Sequence, residues 1–313
     1  MSGCPRGSPG AVSAVIPTWN RAGTIAGAVA SCREQTVAVH EIVVVDDGST
    51  DGTAELLARL DGPLRVIRQD NRGVAAARDG GARAAAGPWL LFVDSDDALA
   101  PDAVERGLAQ AARTGACAVV FSGRETGPAG ERILSKPTPG DLYSLEGLLG
   151  DDVDFAPCWG LMHRSCYLDA GGFDHRLRQC EDWDLLLRFV AGGHRAAILR
   201  EPVYIYRAGH EGRLTGEVAG RARVFLSILE RIARDDPATA RRCRRALRGT
   251  RSRFQRILAR DAARRIGEDP AALAEARRAL AAAWRDRPLH LRTLRDLLWA
   301  RLAPRSFAGH YRR

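Results

Sequence analysis

Three of the four residues 94–97 are aspartates, and they follow a short apolar run at residues 89–93. Such a run, preceded by a Gly-Pro break, is typical of a strand that is buried on both faces. If the extended geometry continues, Asp94 and Asp96 point to one side and Ser95 to the other. Two carboxylates at the carboxyl end of a buried strand suit Mg²⁺ or Mn²⁺. The alternative interpretation is an acidic turn that caps a helix beginning near Pro101.

A second acidic group follows a Gly-Gly loop and consists of Glu181, Asp182 and Asp184. The apolar residues after it predict a helix, and the positive end of a helix dipole favours acids in the first turn. Three acids in four positions are more than a helix cap needs. The helix N-terminus lowers the pKa of Asp182, while its two acidic neighbours raise it. We expect Asp182 to be ionised near neutral pH, which is what a general base requires.

Strands that alternate with helices must position these acids. Strand patterns occur at residues 12–18, 42–45, 64–68 and 89–93, with helix patterns at 24–34, 54–60 and 74–86 between them. This alternation indicates a parallel, right-handed β/α array, in which the carboxyl ends of the strands lie on one rim. Polar residues follow three of these ends: Thr18 and Asn20, Asp46 and Asp47, Asp94 and Asp96. A tight turn with a helix cap is the alternative interpretation of the segment that begins with Asp46.

Four motifs carry a family resemblance. They are VSAVIPTWNRAGTI, EIVVVDDGSTDGT, NRGVAAARDGG and GPWLLFVDSDD, in this order along the chain. Together they resemble the family 2 glycosyltransferases over roughly residues 11–210. The resemblance implies an α/β fold of the GT-A type, with a Rossmann-like, mostly parallel sheet flanked by helices. It also implies that a DxD-type motif binds Mn²⁺ or Mg²⁺ and, through the ion, the diphosphate of a nucleotide sugar, with UDP favoured.

The resemblance implies roles for individual residues by their position in the motifs. The residues in contact with the nucleotide sugar would be Pro17, Thr18, Asn20, Asp47, Arg78, Asp94, Ser95 and Arg207. Pro17 and Thr18 would border the base, and Asp47 would contact it. Asp96 would be the principal metal ligand, with Asp94 beside the sugar and the metal. Arg78 falls where the family often has an Ala-Arg-Asn triplet, but Asp79 replaces the asparagine here.

The catalytic base is also implied by the resemblance. The segment that runs from Gly-Gly-Phe-Asp to Glu-Asp resembles the part of the family in which the aspartate of the Glu-Asp pair acts as base, which maps onto Asp182, with Glu181 beside it. The last predicted strand covers residues 203–207, and Arg207 at its end would neutralise phosphate. In the loop that follows, His210 would complete the coordination of the metal. The alternative interpretation of His210 is an exposed histidine in a Gly-rich loop.

The distribution of charge divides the 313-residue chain. We predict a flexible tail at residues 1–10, a GT-A catalytic domain at 11–215 and a basic α-helical region at 216–313. The net charge is +9, but residues 221–313 hold 25 arginines and 9 acids, so this part carries +16 and the rest −7. Such asymmetry favours an anionic partner for the basic part.

The last helical pattern has leucines at helical spacing with arginines between them. The leucines are Leu291, Leu294, Leu298 and Leu302. A basic amphipathic helix of this kind can lie on an anionic membrane, which would place the protein at the inner membrane face. The alternative interpretation is that the leucines pack against a neighbouring helix while the arginines face water.

The cysteines and the apolar runs bear on localisation. Seven cysteines are scattered without a CxxC pair, which favours reduced thiols in a cytoplasmic protein over a disulfide framework or a zinc site. No apolar run approaches the ~20 residues that span a bilayer. The N-terminus has no apolar segment typical of a signal peptide.

We therefore expect an inverting, metal-dependent glycosyltransferase that uses a nucleotide-diphospho sugar. The sequence does not identify the acceptor, which is a glycan, a lipid-linked sugar, a peptide or a small molecule. Two competing hypotheses are a GT-A-like protein that binds a nucleotide without turnover, and a module that binds anionic polymers or membranes through its basic tail. We expect no nucleic-acid partner, because no zinc-finger, RNP-type or interleaved aromatic–basic pattern occurs.

Overall fold

The structure of the chain is a computed structural model. The structure describes residues 10–62, 64–127, 130–134, 140–150, 158–207, 218–266, 268–269, 271–288 and 290–312. These residues form two compact units. The first unit comprises the described parts of Met1–Ser144 and Phe155–Gly212, and the second those of Leu145–Asp154 and Arg213–Arg313. A short segment from within the predicted catalytic domain thus belongs to the second unit.

The first unit is built on one nine-stranded sheet. Its strands are β1 Val12–Thr18, β2 Glu41–Asp46, β3 Leu64–Arg68, β4 Trp89–Phe92, β5 Ala98–Leu99, β6 Ala118–Gly127, β7 Gly130–Leu134, β8 Cys158–His163 and β9 Ala196–Arg207. The order across the sheet is β3-β2-β1-β4-β8-β6-β9-β5, with β7 paired to β6.

The predicted β/α array forms one half of this sheet. Strands β3, β2, β1 and β4 are all parallel, with Thr18 aligned with Asp46 at the ends of β1 and β2. In the other half, β8 runs antiparallel to both β4 and β6, and β9 runs parallel to β6. The carboxyl ends of β1, β2 and β4 therefore lie on one rim, and the polar residues that follow these strands lie there too.

Helices cover the sheet and form all of the second unit's regular structure within the described residues. They are α1 Ile25–Arg33, α2 Thr53–Leu57, α3 Val74–Ala84, α4 Ala103–Thr114, α5 Leu145–Leu148, α6 Arg164–Asp169, α7 Glu181–Ala191, α8 Val218–Asp235, α9 Pro237–Arg242, α10 Arg244–Arg265, α11 Ala272–Asp286, α12 Leu291–Leu302 and α13 Pro304–Arg312. Helices α5 and α8–α13 belong to the second unit.

Helix α3 lies close to the sheet because small residues line its inner face. A Cβ atom added at Gly81 would lie 2.5 Å from Cγ1 of Val15 on β1, so a larger residue would push the helix away. Ala75, Ala76 and Ala77 in the same helix are also buried. This close packing places Arg78, which follows them, at the rim of the sheet beside the end of β4.

The second unit has a core of its own that is rich in alanine. It contains Ala259, Ala262, Ala263, Ala276, Ala279, Leu280, Leu297, Ala300 and Phe307. Small side chains allow helices α10–α13 to approach closely, and the fully buried Phe307 of α13 packs in the same cluster. In the part of the chain that the structure describes, no helix is both long enough and apolar enough to cross a membrane.

Candidate active site

The two predicted metal-binding acids lie at the end of β4, each beside an arginine. Oδ1 of Asp94 is 2.5 Å from Nη2 of Arg78, and Oδ2 of Asp96 is 3.5 Å from Nε of Arg21. The backbone N–H of Asp94 donates to the hydroxyl of Tyr204 on β9 at 3.0 Å. Both carboxylates remain partly exposed, at 30% for Asp94 and 16% for Asp96. The acids therefore face a solvent-accessible rim.

Arg78 joins the two acidic groups that are far apart in sequence. Its guanidinium is buried, with Nη1 2.6 Å from Oε1 of Glu181 and Nη2 bound to Asp94. It also lies over the ring of Phe173, 5.5 Å from the centroid. Burial alone would lower the pKa of Arg78, but the charges of Asp94 and Glu181 outweigh that effect and raise it. Arg78 thus stays charged and places the start of α7 beside the end of β4.

Asp182 follows Glu181 in the first turn of α7 and is half-buried. Burial raises its pKa to about 7, and the negative charge of Glu181 adds to the rise. The backbone N–H of Trp183, which donates to Oδ1 at 2.7 Å, and the charge of Arg78 offset part of this increase. The sequence led us to expect full ionisation at neutral pH. The raised pKa means that the protonated form competes with the carboxylate near neutral pH, because desolvation opposes the stabilisation by the helix terminus.

Asp184, the third acid of this group, has a structural role, in contrast to Asp182. It is fully buried and accepts a hydrogen bond from Nε of Arg188 at 2.9 Å. Arg188 in turn donates to the backbone carbonyls of Ala170 and Gly172. This pair therefore holds the Gly-Gly loop that precedes α7.

The carboxylate donors at the end of β4 fit a hard divalent cation. Mg²⁺ and Mn²⁺ take oxygen ligands, and Mg²⁺ is commonly bound by one or two carboxylates together with substrate phosphates and water. Among the described residues, no third acidic, histidine or cysteine side chain completes a cluster with Asp94 and Asp96. The third predicted ligand, His210, lies outside the described residues. The donor set is thus compatible with an ion that also binds a diphosphate.

The predicted nucleotide end of the site lies where β1 and β2 end. Asn20 adopts a left-handed backbone conformation, with φ of 52°. Its N–H donates to Oγ of Ser49 at 2.9 Å, and its side-chain Oδ1 accepts from the N–H of Thr50 at 2.8 Å. The buried hydroxyl of Thr18 has no hydrogen-bond partner within the described ranges. Pro17 lies in β1 opposite Val45. Asn20 therefore links the two loops that would border a base.

The carboxylate of Asp47, which we predict to contact the base, accepts three hydrogen bonds from the protein itself. Its Oδ1 accepts from Nε2 of Gln69 at 2.7 Å and from the N–H of Arg72 at 2.9 Å, and its Oδ2 accepts from the N–H of Gly73 at 2.8 Å. The side chain is buried. Asp47 thus fixes the loop at the start of α3, and a contact with a base would come in addition to these bonds.

Ser95 and Arg207 are the remaining residues that were predicted to contact the nucleotide sugar. Ser95 is buried in the turn between Asp94 and Asp96. The guanidinium of Arg207 lies against α1, because a Cβ added at Gly27 would be 2.6 Å from its Nη1. The backbone N–H of Arg207 donates to Oδ1 of Asp97 at 3.2 Å, which ties the end of β9 to the acidic turn.

Several residues at the site were missed by the sequence analysis. Arg21 and Tyr204 contact the two predicted metal-binding acids, and neither stands out in a sequence pattern. Asp79, which stands where the family often has asparagine, has a packing role. Its Oδ1 accepts a hydrogen bond from the hydroxyl of Tyr167 at 2.8 Å. A Cβ added at Gly172 would lie 2.5 Å from the same oxygen. Asp79 therefore anchors the Gly-Gly loop to α3.

The second unit carries the predicted basic region and exposes three of the four leucines of the last helical pattern. Leu291, Leu298 and Leu302 are exposed at 78%, 46% and 82%. The buried side of α12 is formed by other residues, among them Leu297 and Ala300. The alternative that these leucines pack on a neighbouring helix therefore fails for the three exposed ones.

A cleft of about 460 Å³ elsewhere in this unit is lined by Arg253, Arg256, Ile257, Arg260, Arg287 and His290.

Comparison with known sequences identifies relatives. Residues 13–167 match the pattern described as Glycosyl transferase family 2. The succinoglycan biosynthesis protein ExoO of Rhizobium meliloti is 33% identical over 210 residues, which cover 62% of this chain and 60% of that protein. The putative glycosyltransferase EpsH of Bacillus subtilis is 29% identical over 210 residues, which cover 63% and 60%. The aligned part of the chain thus corresponds to only 60% of the length of these two relatives.

Comparison with solved structures identifies the same fold. A crystal structure of S. aureus TarS residues 1–349 in complex with UDP-GlcNAc aligns with a TM-score of 0.70 at 19% identity. The alignment covers 96% of this chain and 90% of that one. Identity at this level bears on the fold alone, and it confirms the predicted α/β class with a C-terminal helical region.

Proposed function

The chain belongs to glycosyl transferase family 2, and on that premise we propose that it transfers a sugar from a nucleotide-diphospho sugar to an acceptor. The observation that carries the proposal is the bridge formed by Arg78, which joins Asp94 at the end of β4 to Glu181 at the start of α7. This bridge brings the candidate metal ligands and the candidate base to one solvent-accessible rim. UDP is the favoured nucleotide, and the complex of TarS with UDP-GlcNAc supports that choice.

Asp182 is the proposed general base. Its pKa of about 7 means that the carboxylate form is available at neutral pH and is basic enough to accept a proton from an acceptor hydroxyl. The partly exposed side chain lets an acceptor approach. Glu181 keeps that pKa high through its negative charge, and Arg78 limits the rise. Inversion at the anomeric carbon follows from the family membership and is part of the proposal.

Asp94 and Asp96 are the proposed ligands of Mn²⁺ or Mg²⁺, which when bound supplies positive charge that stabilises a departing diphosphate. The two arginines beside these acids have a separate role. Arg78 and Arg21 neutralise the carboxylates and hold them in place. Arg207, whose backbone N–H donates to Asp97 in the acidic turn, is proposed to contact phosphate. His210, the proposed third ligand, lies outside the described residues.

A substitution at Asp182 tests this function. Asp182→Asn keeps the shape of the side chain and its acceptor oxygen but removes the base, so we expect sugar transfer to fall by at least about a hundredfold. Binding of UDP in the presence of Mn²⁺ should be unchanged, as measured by isothermal titration calorimetry. If UDP affinity falls as much as transfer does, Asp182 has a structural role. If wild-type protein binds UDP but releases none from UDP-sugars with any acceptor, the non-catalytic alternative holds.

A second proposal concerns the partner of the basic unit. The exposed leucines of α12 alternate with Arg292, Arg295 and Arg301, which are the components of a helix that lies at an anionic membrane surface. We propose that this face recruits the protein to anionic lipid, where a lipid-linked acceptor would be found. Long-range attraction of this kind weakens with salt.

A further inference from the structure

Three side chains with affinity for soft metals meet at the edge of the first unit's core, away from the acids described above. They are Cys117, just before β6, Cys166 in α6, and His194, just before β9. One ligand atom from each lies within 4.8 Å of the other two. Cys117, Cys166 and His194 are buried. They belong to three elements that are distant in sequence, so the absence of a CxxC pair concealed them.

The backbone around this cluster is fixed by the sheet. The N–H of Cys117 donates to the carbonyl of Arg195 at 2.8 Å, and the carbonyl of Cys117 accepts from the N–H of His163 at 2.7 Å. These bonds tie the residue before β6 to the end of β8 and to the residue before β9. Cys117 is therefore held in place by the sheet, and a ligand held in this way is preorganised.

A carboxylate holds the imidazole of the cluster. Oδ2 of Asp169, at the end of α6, is 2.8 Å from Nε2 of His194. The ring of Phe189 packs against the imidazole, with 4.8 Å between centroids. A carboxylate beside a histidine is a common companion of metal ligation, because it fixes the ring orientation and the position of the ring proton and raises the basicity of the ligand.

We propose that Cys117, Cys166 and His194 bind a thiophilic divalent cation of the Zn²⁺ class, with Asp169 as the positioning residue. Two thiolates and one imidazole form a known ligand set for zinc, which accepts a water or another ligand in its fourth position. The cation differs in kind from the one proposed at Asp94 and Asp96, where only hard oxygen donors are present. The inference does not depend on the proposed glycosyl transfer.

The chemistry of binding makes the proposal measurable. Cysteine binds a metal ion as the thiolate, so metal binding is coupled to the loss of the thiol protons. Coordination replaces the S–H bonds by two metal–sulfur bonds and releases two protons, with no change of oxidation state. Affinity should therefore increase with pH.

The test uses the full-length protein with Zn²⁺ and Co²⁺ as probes. We expect one equivalent of zinc per chain after dialysis, measured by elemental analysis, and a thiolate-to-cobalt charge-transfer band with Co²⁺. Cys117→Ser and Cys166→Ser should lose both signals. Cys32→Ser is the matched control, because Cys32 is a buried free thiol outside the cluster and its loss should change neither signal. Asp169→Asn should weaken zinc binding by about 10–100-fold.

A second measurement covers the case in which a serine variant does not fold. Wild-type protein is treated with a thiol-alkylating reagent under partly denaturing conditions, with and without Zn²⁺, and the labelled cysteines are identified by mass spectrometry. We expect zinc to protect Cys117 and Cys166 but not Cys32. Equal labelling with and without zinc, or a wild-type protein that shows no cobalt–thiolate band, would overturn the proposal.

Discussion

Replacing Glu181 by glutamine should shift the pH dependence of catalysis. The side chain of Glu181 accepts from Arg78 at 2.6 Å, and a glutamine oxygen can keep that bond while the negative charge is lost. The pKa of Asp182 is raised from 3.8 to about 7, with burial as the larger cause and Glu181 as the second. We therefore expect Glu181→Gln to lower that pKa by about one unit, which is about 1.4 kcal/mol.

The sign and size of the effect follow from the protonation of the base. Only the carboxylate form of Asp182 accepts a proton, so kcat/KM falls as the pH drops through the pKa of the free enzyme. At pH 6 about a tenth of a group with a pKa near 7 is ionised, against about half for a pKa near 6. Relative to its own plateau above pH 8, the variant should thus be about fivefold more active than wild type at pH 6.

The assay is a pH profile of UDP release from a UDP-sugar donor with a working acceptor. Glu34→Gln is the matched control, since Glu34 is an exposed glutamate at the end of α1 and its substitution should leave the profile unchanged. An acid limb that stays near pH 7 in Glu181→Gln would refute the reasoning. It would show either that Asp182 does not control the limb or that its pKa is set by burial alone.

Two further predictions concern the nucleotide end of the site and the basic unit. Asp47→Ala leaves three N–H donors near α3 without their acceptor, so the free energy of unfolding should fall by about 1–3 kcal/mol and UDP affinity should fall with it, as measured by chemical denaturation and calorimetry. Unchanged stability would contradict the anchoring role. Joint substitution of Leu291, Leu298 and Leu302 by serine should abolish co-sedimentation with anionic liposomes while transfer to a water-soluble acceptor is retained. Binding of the triple variant at the wild-type level would exclude this face as the membrane contact.

Substitution tests the leucine face better than truncation. Removal of α12 and α13 would also remove Leu297, Ala300 and Phe307 from the core of the second unit. The exposed leucines contribute little to that core, so their replacement should leave the melting temperature of the protein nearly unchanged. Neutral lipid vesicles and high salt serve as the controls for electrostatic attraction.

The parallel half of the sheet, in which strands alternate with helices, could be predicted from the sequence. Apolar runs such as Val43–Val45 are buried on both faces of the parallel strands, so their composition alone identifies them. The other half depends on pairings that no local pattern reports. Strand β8 joins β4 to β6 in antiparallel fashion, and β9 extends well before the predicted start at Val203 because its first part, from Ala196, pairs with β6.

The sequence points to the acids of the candidate site and to Arg78, but not to two other residues that contact these acids. Asp94, Asp96 and Asp182 stand out because several acids cluster at the ends of apolar segments. Arg21 and Tyr204 do not, because a single arginine or tyrosine acquires its role only from the fold. The pKa of Asp182 was misjudged for the same reason, since burial of the side chain is a tertiary property that its sequence neighbours do not reveal.

The most direct test of the central claim is the binding of Mn²⁺ measured by electron paramagnetic resonance with and without UDP. The account predicts that UDP recruits one Mn²⁺ ion to the wild-type protein, and that Asp96→Asn loses this recruitment while its fold is preserved. UDP binding that is equally strong in Asp96→Asn and in the presence of EDTA would contradict the account, because the carboxylates at the end of β4 would then have no part in holding the nucleotide.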